Sequence, residues 1–457
     1  MPPADRMNPE ELRASVGLAS IFGLRMLGMF AILPVFAIYA EGLAGGDNLT
    51  LVGIAIGAYG LTQAMLQIPF GWWSDRYGRK PVIYVGLIIF AVGSFIAALG
   101  SHITIVIVGR MLQGAGAIAA ALVAMAADLT RDEHRTKAMA MIGSTIGATF
   151  ALSLVLGPWL NRLIGVPGIF VMTGVLALAA MLVIYAVVPD APETRRPHGG
   201  RTLMQLGDAL TDPQLARLHY GVFALHAALM SLFIAVPFAL RDAGLALEQH
   251  WKVYLPVMLG SFVLMVPAIL RAGRPEQLRR TFVGSIAVLL AAHLLMPWLM
   301  HGAWPVAVFL LLFFTPFNVL EACLPTLVSR IAPPGAKGTA IGIFSSVQFL
   351  GAFLGAAAGG FLYGRWGVNG VVIFDVALLV IWVAAAHGTR VPASLSTRVY
   401  ALPALGRQQA DGLMTRLRAL PGVHEALLMS GERRAYLTVD SAGFDEQNVL
   451  KLIAGET

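Results

Sequence analysis

The sequence is poor in charged residues and in cysteine. Charged residues make up 12% of the 457 residues and hydrophobic residues 57%, against about 25% charged in an ordinary soluble domain. A water-soluble globule is excluded, because a chain of this size cannot hide so much apolar side chain from water. The single cysteine, Cys323, excludes a disulfide framework and cysteine-cluster metal sites. We therefore expect the lipid bilayer to be the solvent for most of the chain.

Patterns that indicate an enzyme are absent as well. The sequence has no G-x-x-x-x-G-K-[ST] loop, so ATP-driven chemistry is not indicated. A membrane enzyme such as a prenyl transferase needs paired acidic motifs for magnesium and pyrophosphate, and no apolar run carries two acids within a few residues. We expect no enzyme, no bound metal and no cofactor.

The apolar residues are gathered in twelve runs, each of about the length that crosses a bilayer as a helix. The first run is too long for the apolar region of a signal peptide and has no small-residue cleavage site after it, so we expect a retained helix. The predicted spans are Ser15–Ala40, Leu51–Trp73, Pro81–Gly100, Ile103–Leu129, Ala138–Leu160, Gly168–Val188, Leu218–Leu240, Val253–Leu270, Phe282–Trp298, Ala303–Val328, Gly338–Tyr363 and Val368–His387.

A longer polar stretch after the sixth run, with Arg195, Arg196 and Arg201, predicts a linker between two six-span halves. The predicted domains are an N-terminal six-helix bundle over 1–189, a cytoplasmic linker over 190–217, a C-terminal six-helix bundle over 218–390 and a soluble domain over 394–457.

The two halves also resemble each other weakly. The pattern in Asp128–Ala138 matches the pattern in Arg330–Ala340, and the same register pairs Gly157 with Gly359. A duplicated bundle explains this match. Chance similarity between helices rich in glycine and alanine is the alternative.

Lysine and arginine are unevenly distributed over the connecting segments. One alternating set carries eighteen of them, and the other set carries only Arg162, Arg241, Lys252 and Arg365. Because cytoplasmic loops are enriched in lysine and arginine, we expect both termini and every even-to-odd loop in the cytoplasm. The net charge of +7 is then a topology signal, and we do not expect nucleic acid as a partner.

The loop after the second span reads GWWSDRYGRK, from Gly71 to Lys80. Gly71 permits the close approach of another helix, and Gly78 suits a tight turn. Asp75 lies among three cations, namely Arg76, Arg79 and Lys80. Charges packed this densely are either an anchor on the cytoplasmic side or an ion-pair latch between neighbouring helices.

This string resembles the G-x-x-x-D-R-x-G-R-K signature that joins spans two and three in the major facilitator superfamily. In span four, Gly109–Gly116 contains Arg110 and Gln113 and resembles the R-x-x-Q-G-x-G motif of the same family. The first span, with Arg25 and Pro34, resembles a member that carries a small soluble domain after its last span. The resemblance covers the whole chain and implies an all-α bundle of twelve spans in two pseudo-symmetric halves.

The resemblance also implies a latch that selects the open side. Asp75 and Arg79 would bind the end of span four, where Asp128 is the matching acid, and would meet the start of span eleven near Gly338 and Gly342. A carboxylate beside that helix N-terminus is favoured by the helix dipole. The closed latch would stabilise the outward-facing state.

Span five contains Gly157 and Pro158, which resemble the core of the antiporter motif of this family. The glycine pair expected after them is replaced by Leu160 and Asn161. Antiport is the expected direction of coupling, and a proline kink used only for packing is the alternative.

Ionisable residues well inside spans are few, and such groups usually mark a cavity or a relay. The only acids are Glu321 and Asp375, which we expect to take part in proton coupling together with His226 and His293. Histidines that only pack through a hydrogen bond are the alternative. The energy source is then a proton gradient.

Two arginines also lie inside spans, and neither can lose its proton at physiological pH. Arg25 and Arg110 are therefore candidates for binding an anion or for tuning a neighbouring carboxylate. The alternative is that backbone carbonyls or Gln113 satisfy them. Many drug–proton antiporters of the family carry an acid in span one, where this chain has Arg25.

The composition becomes that of a soluble protein from Ser394 onward. The patterns predict strand, helix, strand, strand and helix, over Arg398–Ala401, Gln408–Leu420, His424–Met429, Arg434–Val439 and Phe444–Ala454. This order resembles a ferredoxin-like domain without its last strand, as in heavy-metal-associated domains. The tail has no cysteine, so thiolate metal binding is excluded. Self-association, docking on the bundle, ligand binding and a passive appendage remain open.

The resemblance and the intramembrane charges together predict a secondary active transporter of the bacterial inner membrane. We expect proton-coupled export of a small amphipathic or drug-like molecule by alternating access. The alternatives are a facilitator or symporter of a small solute, and a membrane sensor that does not transport and uses the tail as its output.

Overall fold

The computed structural model describes residues 7–190, 211–273, 275–332, 337–389, 395–402, 407–428, 434–440 and 444–454. The chain divides into two compact units, residues 1–271 with 280–389 and residues 272–279 with 390–457. Most of the predicted linker, including Arg195, Arg196 and Arg201, lies outside the described residues.

Among the described residues, ten helices are long and apolar enough to cross a membrane, when helices that follow each other after a break are counted as one. The helices before the tail are α1 (Pro9–Ala31), α2 (Leu33–Ala40), α3 (Leu49–Tyr77), α4 (Arg79–Ala98), α5 (Ile103–Ala115), α6 (Ala119–Asp128), α7 (Asp132–Ala186), α8 (Pro213–Asp242), α9 (Trp251–Ala272), α10 (Pro275–Leu299), α11 (Ala303–Ile331) and α12 (Lys337–His387).

Two of these helices contain two consecutive spans each. Helix α7 turns at Gly165 and helix α12 turns at Gly367, where φ is 66° and 61°. Only glycine adopts such a positive φ readily. Counting α7 and α12 as two spans each gives the twelve spans that the sequence predicts.

The structure corrects the predicted spans at two breaks. The first span is interrupted at Ile32, two residues before Pro34. The fourth span, predicted as one helix, ends as α5 at Ala115 and resumes as α6 at Ala119. The reason is the backbone of Gly116, which has a ψ of 53° and leaves the helical region.

A third correction concerns the start of the second half. Helix α8 begins at Pro213, inside the predicted linker, because the side chain of Asp212 caps it. The Asp212 carboxylate accepts hydrogen bonds from the backbone of Gln214 at 2.7 Å and of Leu215 at 3.3 Å. An acid at this position satisfies N–H groups that the helix leaves unpaired.

The internal repeat is visible in matching contacts. A methyl group on Gly157 of α7 would lie 2.3 Å from the carbonyl oxygen of Ala31 in α1. A methyl group on Gly359 of α12 would lie 2.8 Å from Cα of Ser231 in α8. Each glycine therefore lets the fifth helix of its half pack closely on the first.

The tail forms a small α+β unit. Strands β1 (Leu395–Ala401), β2 (Val423–Leu428) and β3 (Arg434–Asp440) form an antiparallel sheet in the order β1-β3-β2. Helices α13 (Arg407–Arg418) and α14 (Glu446–Ala454) complete the order strand, helix, strand, strand, helix that the sequence pattern predicts. Its core contains Leu417, Leu437 and Val449, which are all buried.

Candidate functional site

The two six-span halves meet along α3 and α12. The ring of Tyr59 in α3 contacts the ring of Phe349 in α12 at 5.9 Å between centroids. A methyl group on Gly57 would lie only 2.8 Å from the carbonyl oxygen of Phe353. The halves therefore pack backbone against backbone near the end of α3 that begins at Leu49. We call this end of the bundle the far face, and the end where α1 begins the basic face.

The same face of α12 is open toward the basic face. Gly338 and Gly342 precede Phe349 by eleven and seven residues, which places them on one side of the helix. A methyl group on either glycine would meet no atom within 4 Å in the described part of the chain. The structure therefore does not bring Gly338 and Gly342 against the predicted latch.

Helix α7 repeats this arrangement. The ring of Phe150 lies 6.0 Å from that of Phe314 and 6.4 Å from that of Phe317, both in α11 of the other half. Gly143 and Gly147 lie on the same side of α7 toward the basic face, and a methyl group on either would meet no described atom within 4 Å. The halves thus contact each other along the aromatic seam and leave open space toward the basic face, beside Gly143 and Gly147 in one half and Gly338 and Gly342 in the other. We call this space the cleft, and it narrows toward the far face.

An ion pair joins the halves at the far face. Nη1 of Arg241, near the end of α8, donates to Oε2 of Glu41, just after α2, at 2.6 Å. The Arg241 guanidinium also lies 5.0 Å from the ring centroid of Phe238. Sequence reasoning missed this pair because 200 residues separate its members and neither belongs to a motif.

The latch residues of the first half do come together. The Arg79 guanidinium lies 2.5 Å from Oδ1 of Asp75 and 3.0 Å from Oδ2 of Asp128, and it donates to Oγ of Ser74 at 2.7 Å. The Arg79 side chain is buried and the Asp75 side chain is half exposed. Arg79 thus ties the start of α4 to the ends of α3 and α6.

The other residues of the loop motif surround this ion cluster. Gly78 has a φ of 92°, a conformation that favours glycine, and it makes the turn between α3 and α4. Lys80 lies 2.7 Å from Asp190, and Arg76 stacks on Trp72 at 5.6 Å. A methyl group on Gly71 would lie 3.4 Å from Cβ of Ala120, which brings α3 close to α6.

A second ion pair holds α1 beside this cluster and was not predicted. The buried Glu11 carboxylate accepts hydrogen bonds from the backbone of Arg131 at 3.0 Å and from its Nε at 2.8 Å. The hydrogen bond to Glu11 raises the pKa of Arg131. Asn8 and Glu11 also form a capping box at the start of α1. The N-x-x-E spacing of this box is a sequence signal that could have marked Glu11 as a structural residue at the helix start.

Three polar residues meet beside the cleft, namely the predicted His226 and Glu321 and the newly found Gln348. Nδ1 of His226 in α8 lies 3.1 Å from the carbonyl of Val222 and donates a hydrogen bond to it. Nε2 of the same ring therefore accepts a hydrogen bond from Nε2 of Gln348 in α12, at 2.8 Å. Glu321 of α11 lies 3.7 Å from Nε2 of His226 and 3.5 Å from Nε2 of Gln348. We call this group the cleft cluster.

The cleft cluster is adjacent to the aromatic seam. Glu321 follows Phe317 by one helical turn, so both side chains lie on the same face of α11. The Glu321 side chain is 41% exposed, whereas that of His226 is only 9% exposed. The cluster therefore presents one partly exposed carboxylate, whose Oε2 is buried and has no hydrogen-bond partner among the described residues.

Asp375 and His293 form a separate, fully buried group. Asp375 lies in the second part of α12, with its carboxylate 2.7 and 3.0 Å from Oγ of Ser231 in α8. Nε2 of His293 in α10 is 3.6 Å from Oδ2 of Asp375, while its Nδ1 is 2.8 Å from the carbonyl of Leu289. Both side chains are inaccessible to solvent.

The remaining predicted residues lie in the first half. Arg110 donates to the backbone carbonyls of Ala55 and Ile56 and to Oε1 of Gln113, and Gln113 donates to Oγ of Ser94. Arg110 and Gln113 thus bind α5 to α3 and α4. This is the arrangement that was left open as the alternative to a role in coupling.

Arg25 lies at the break between α5 and α6. Its Nη2 donates to Oε1 of Gln63 at 2.8 Å and to the carbonyl of Gly116 at 2.9 Å. Gln63 in turn donates to Gln67 at 2.9 Å. Pro158 lies within α7 beside Gly157, in a helix that continues to the turn at Gly165.

A metal site is not formed by the described residues. No group of three or more histidine, cysteine, aspartate or glutamate side chains within the described ranges could hold a metal ion.

Comparison with known proteins agrees with the sequence signatures. The model of the Major Facilitator Superfamily matches residues 18–356. The inner membrane transport protein YajR of Escherichia coli is 41% identical over 437 residues, which is 95% of this chain and 96% of the relative. Multidrug resistance protein 2 of Bacillus subtilis is 26% identical over 76% of this chain and 87% of that protein. The crystal structure of the human organic anion transporter MFSD10 superimposes with a TM-score of 0.64 at 21% identity, over 83% of this chain and all of that one.

Proposed function

The chain belongs to the major facilitator superfamily and is a multi-pass membrane transporter, and we propose that it exports a small amphipathic molecule in exchange for protons. The proposed location is the bacterial inner membrane, because the similar protein YajR is an inner membrane transport protein. The proposed orientation places both termini and the basic face in the cytoplasm, following the distribution of lysine and arginine.

The mechanism proposed is alternating access between the two halves. The described conformation, with a cleft open at the basic face, is then the inward-facing state. Arg241 and Glu41 hold the outer side shut in this state. On return to the outward-facing state, the ion cluster of Arg79, Asp75 and Asp128 meets Gly338 and Gly342 at the start of α12 and holds the inner side shut.

The observation that carries the coupling proposal is the position of Glu321. It is a carboxylate at membrane depth with one buried, unpartnered oxygen and a side chain that is 41% exposed, one turn from the aromatic seam and within reach of His226 and Gln348. A bare carboxylate is expensive to bury. The cleft can therefore close over Glu321 only when a proton or a positively charged group of the substrate neutralises it.

This requirement explains exchange. A proton and a cationic substrate compete for the same carboxylate, so binding of one releases the other. Export follows when the substrate enters from the basic face and protons enter from the far face. Rings of Phe150, Phe314 and Phe317 supply an apolar wall for the rest of the substrate, and aromatic faces also favour a cation.

Asp375 and His293 are proposed to hold a second proton, sealed from the cleft. The single hydroxyl hydrogen of Ser231 can serve either Asp375 or the carbonyl of Ala228, which lies 2.8 Å away. A protonated Asp375 satisfies both, because it donates to Oγ of Ser231 and Ser231 donates to Ala228. A neutral Asp375 is also the form that a dry site at this depth favours.

The tail is proposed to be a ferredoxin-like domain that lacks the last strand. The order β1-β3-β2 is that of a ferredoxin-like sheet without its fourth strand. The proposed domains are those predicted from the sequence, except that the second bundle begins with α8 at Pro213. The tail over 394–457 is proposed to be a cytoplasmic domain for self-association or ligand binding.

Transport in proteoliposomes tests the proposed function. A pH gradient is imposed across the proteoliposome membrane, and a panel of labelled amphipathic cations, neutral compounds and anions is tested. The flux of each compound is compared between wild type and Glu321→Gln. We expect gradient-driven movement of cations against the proton flow in wild type and its loss in the variant. Flux that ignores the gradient identifies a facilitator, co-directional flux a symporter, and ligand binding without flux a sensor; each of these results overturns the proposal.

A further inference from the structure

The guanidinium of Arg25 is a buried charge that the described residues only partly satisfy. The side chain has no solvent exposure, although it is more than ten residues into α1. Its Nη2 has two acceptors, the side chain of Gln63 and the carbonyl of Gly116. Its Nε and Nη1 are buried, and within the described ranges neither has a hydrogen-bond partner.

Comparison with Arg110 shows that this is not a general property of buried arginines in the chain. All three nitrogens of Arg110 donate hydrogen bonds, to Ala55, Gln113 and Ile56. Both guanidinium groups lie against the ring of Tyr59, at 5.7 Å for Arg25 and 5.4 Å for Arg110. Two permanent positive charges thus share one ring in a dry region.

The chain supplies no countercharge that the structure describes. No acid in the described residues lies within 4.0 Å of Arg25, and the acids of the first half are at the ends of its helices, as with Glu11, Glu41 and Asp128. Arginine cannot escape burial by losing its proton. An uncompensated charge at this depth is strongly unfavourable. A negative group from outside the chain is therefore favoured beside Nε and Nη1 of Arg25, which have no acceptor among the described residues.

The position of Arg25 adds a second feature that favours an anion. Gly116 belongs to the break between α5 and α6, and α6 begins two residues after Ala117 with Ile118 as its N-cap. Among the residues that the structure describes, no side chain caps α6. The N-terminus of a ten-residue helix carries a partial positive charge and free N–H groups. Arg25 therefore lies where the backbone also attracts negative charge.

We propose that Arg25 and the break before α6 form a binding site for one small monovalent anion. The enclosure of Arg25 restricts the ligand to a halide ion or to the carboxylate tip of an organic ligand. The face of Phe90, 5.1 Å from the guanidinium, covers the site on one side. This site is separate from the cleft cluster, and it stands whether or not Glu321 couples transport to protons.

Thermal unfolding of the full-length protein in detergent tests the proposal. The midpoint is measured in the large sulfonate MES, and chloride, bromide or acetate is then added at constant ionic strength. We expect a saturable rise of the midpoint in wild type. Arg25→Gln should bind about tenfold or more weakly, because a hydrogen bond to a charged group is lost. Arg365→Gln, which removes an exposed arginine outside the site and the gate, should respond like wild type.

The arms of the experiment separate the two sources of the anion. Saturation by chloride and bromide identifies a halide site, and saturation by acetate alone identifies the carboxylate of an organic ligand. If Arg25→Gln does not fold, crystals of the wild type grown in bromide give a second test, with an anomalous peak expected within hydrogen-bond distance of Nε or Nη1 of Arg25. A midpoint that no anion changes, an unchanged response in a folded Arg25→Gln, or water alone at both nitrogens overturns the proposal.

Discussion

Arg241 and Glu41 form the ion pair that joins the two halves at the far face, with Nη1 and Oε2 2.6 Å apart. Both side chains are close to half exposed, so the pair stabilises the closed far face by about 0.2–1 kcal/mol. A contact of this strength biases the conformational equilibrium without trapping the transporter, which suits a gate that must open in every cycle.

Removal of this pair should shift the protein toward the state open at the far face. We expect Arg241→Gln to raise the population of that state by about 1.5- to 5-fold, from the free energy of an exposed ion pair. Arg162 and Lys252 line one depression at the far face. Spin labels attached to cysteines at these two positions, in a protein that also carries Cys323→Ser, report the distance between the two halves at the far face. The exchanged pair Glu41→Arg with Arg241→Glu should restore the wild-type distance distribution. An Arg241→Gln distribution identical to wild type would contradict the role of the pair as a gate.

A steric change at the seam should act more strongly than loss of the ion pair. In Gly57→Val, the new side chain meets the backbone of Phe353 at 2.8 Å, so α3 and α12 cannot keep their close contact. Overpacking of this kind costs about 1–3 kcal/mol, and we expect the same labels to report a mainly open far face. Gly143→Val is the matched control, since a methyl group there meets no described atom within 4 Å. Equal behaviour of the two variants would show that the seam does not control access.

The two acids of the ion cluster should differ in importance. Asp128 is 16% exposed and Asp75 is 55% exposed, while the Arg79 side chain they share is buried. Asp128→Asn leaves a buried cation poorly paired and should cost about 1–3 kcal/mol, whereas Asp75→Asn should cost about 0–1 kcal/mol. We expect transport rates in proteoliposomes to fall in both and further in Asp128→Asn. Wild-type transport by the Asp75→Asn protein would show that the latch does not control the cycle.

The buried acid of the second half should tolerate its amide analogue. If Asp375 is neutral, Asp375→Asn keeps an uncharged group of the same shape, and the free energy of unfolding should change by less than about 1.5 kcal/mol. Ser231→Ala removes the group that receives the proton and should cost about 1–3 kcal/mol. Chemical denaturation in detergent measures both changes. A larger loss in Asp375→Asn than in Ser231→Ala would indicate that Asp375 is ionised.

The sequence predicted the parts of the fold that depend on composition and periodicity. Twelve apolar runs correspond to the described spans, and the motif residues Asp75, Arg79 and Asp128 lie together as the family signature implies. The break at Gly116 was missed, because Gly114 and Gly116 among alanines are compatible with a continuous helix. At this break the carbonyl of Gly116 accepts a hydrogen bond from Arg25, ninety-one residues away, and the sequence alone does not reveal this contact.

The uncharged polar residues that bind the ionisable ones were also not predicted from the sequence. Glu321 and His226 were recognised as ionisable residues in spans, but Gln348 and Ser231 were not, although each joins two helices. A lone glutamine or serine in an apolar run gives no sign of its partner, because hydrogen-bonding pairs are set by helix packing. Glutamines spaced four apart, as in Gln63 and Gln67, are a signal that could have been used.

Proton release on substrate binding tests the coupling role of Glu321 most directly. A cationic compound that the transporter moves is added to the purified protein in weakly buffered detergent, and the pH change is recorded. We predict release of protons by wild type, none by Glu321→Gln, and wild-type release by Glu10→Gln, which removes an exposed acid at the start of α1, outside the cleft and the gate. The same release from wild type and Glu321→Gln would contradict the account.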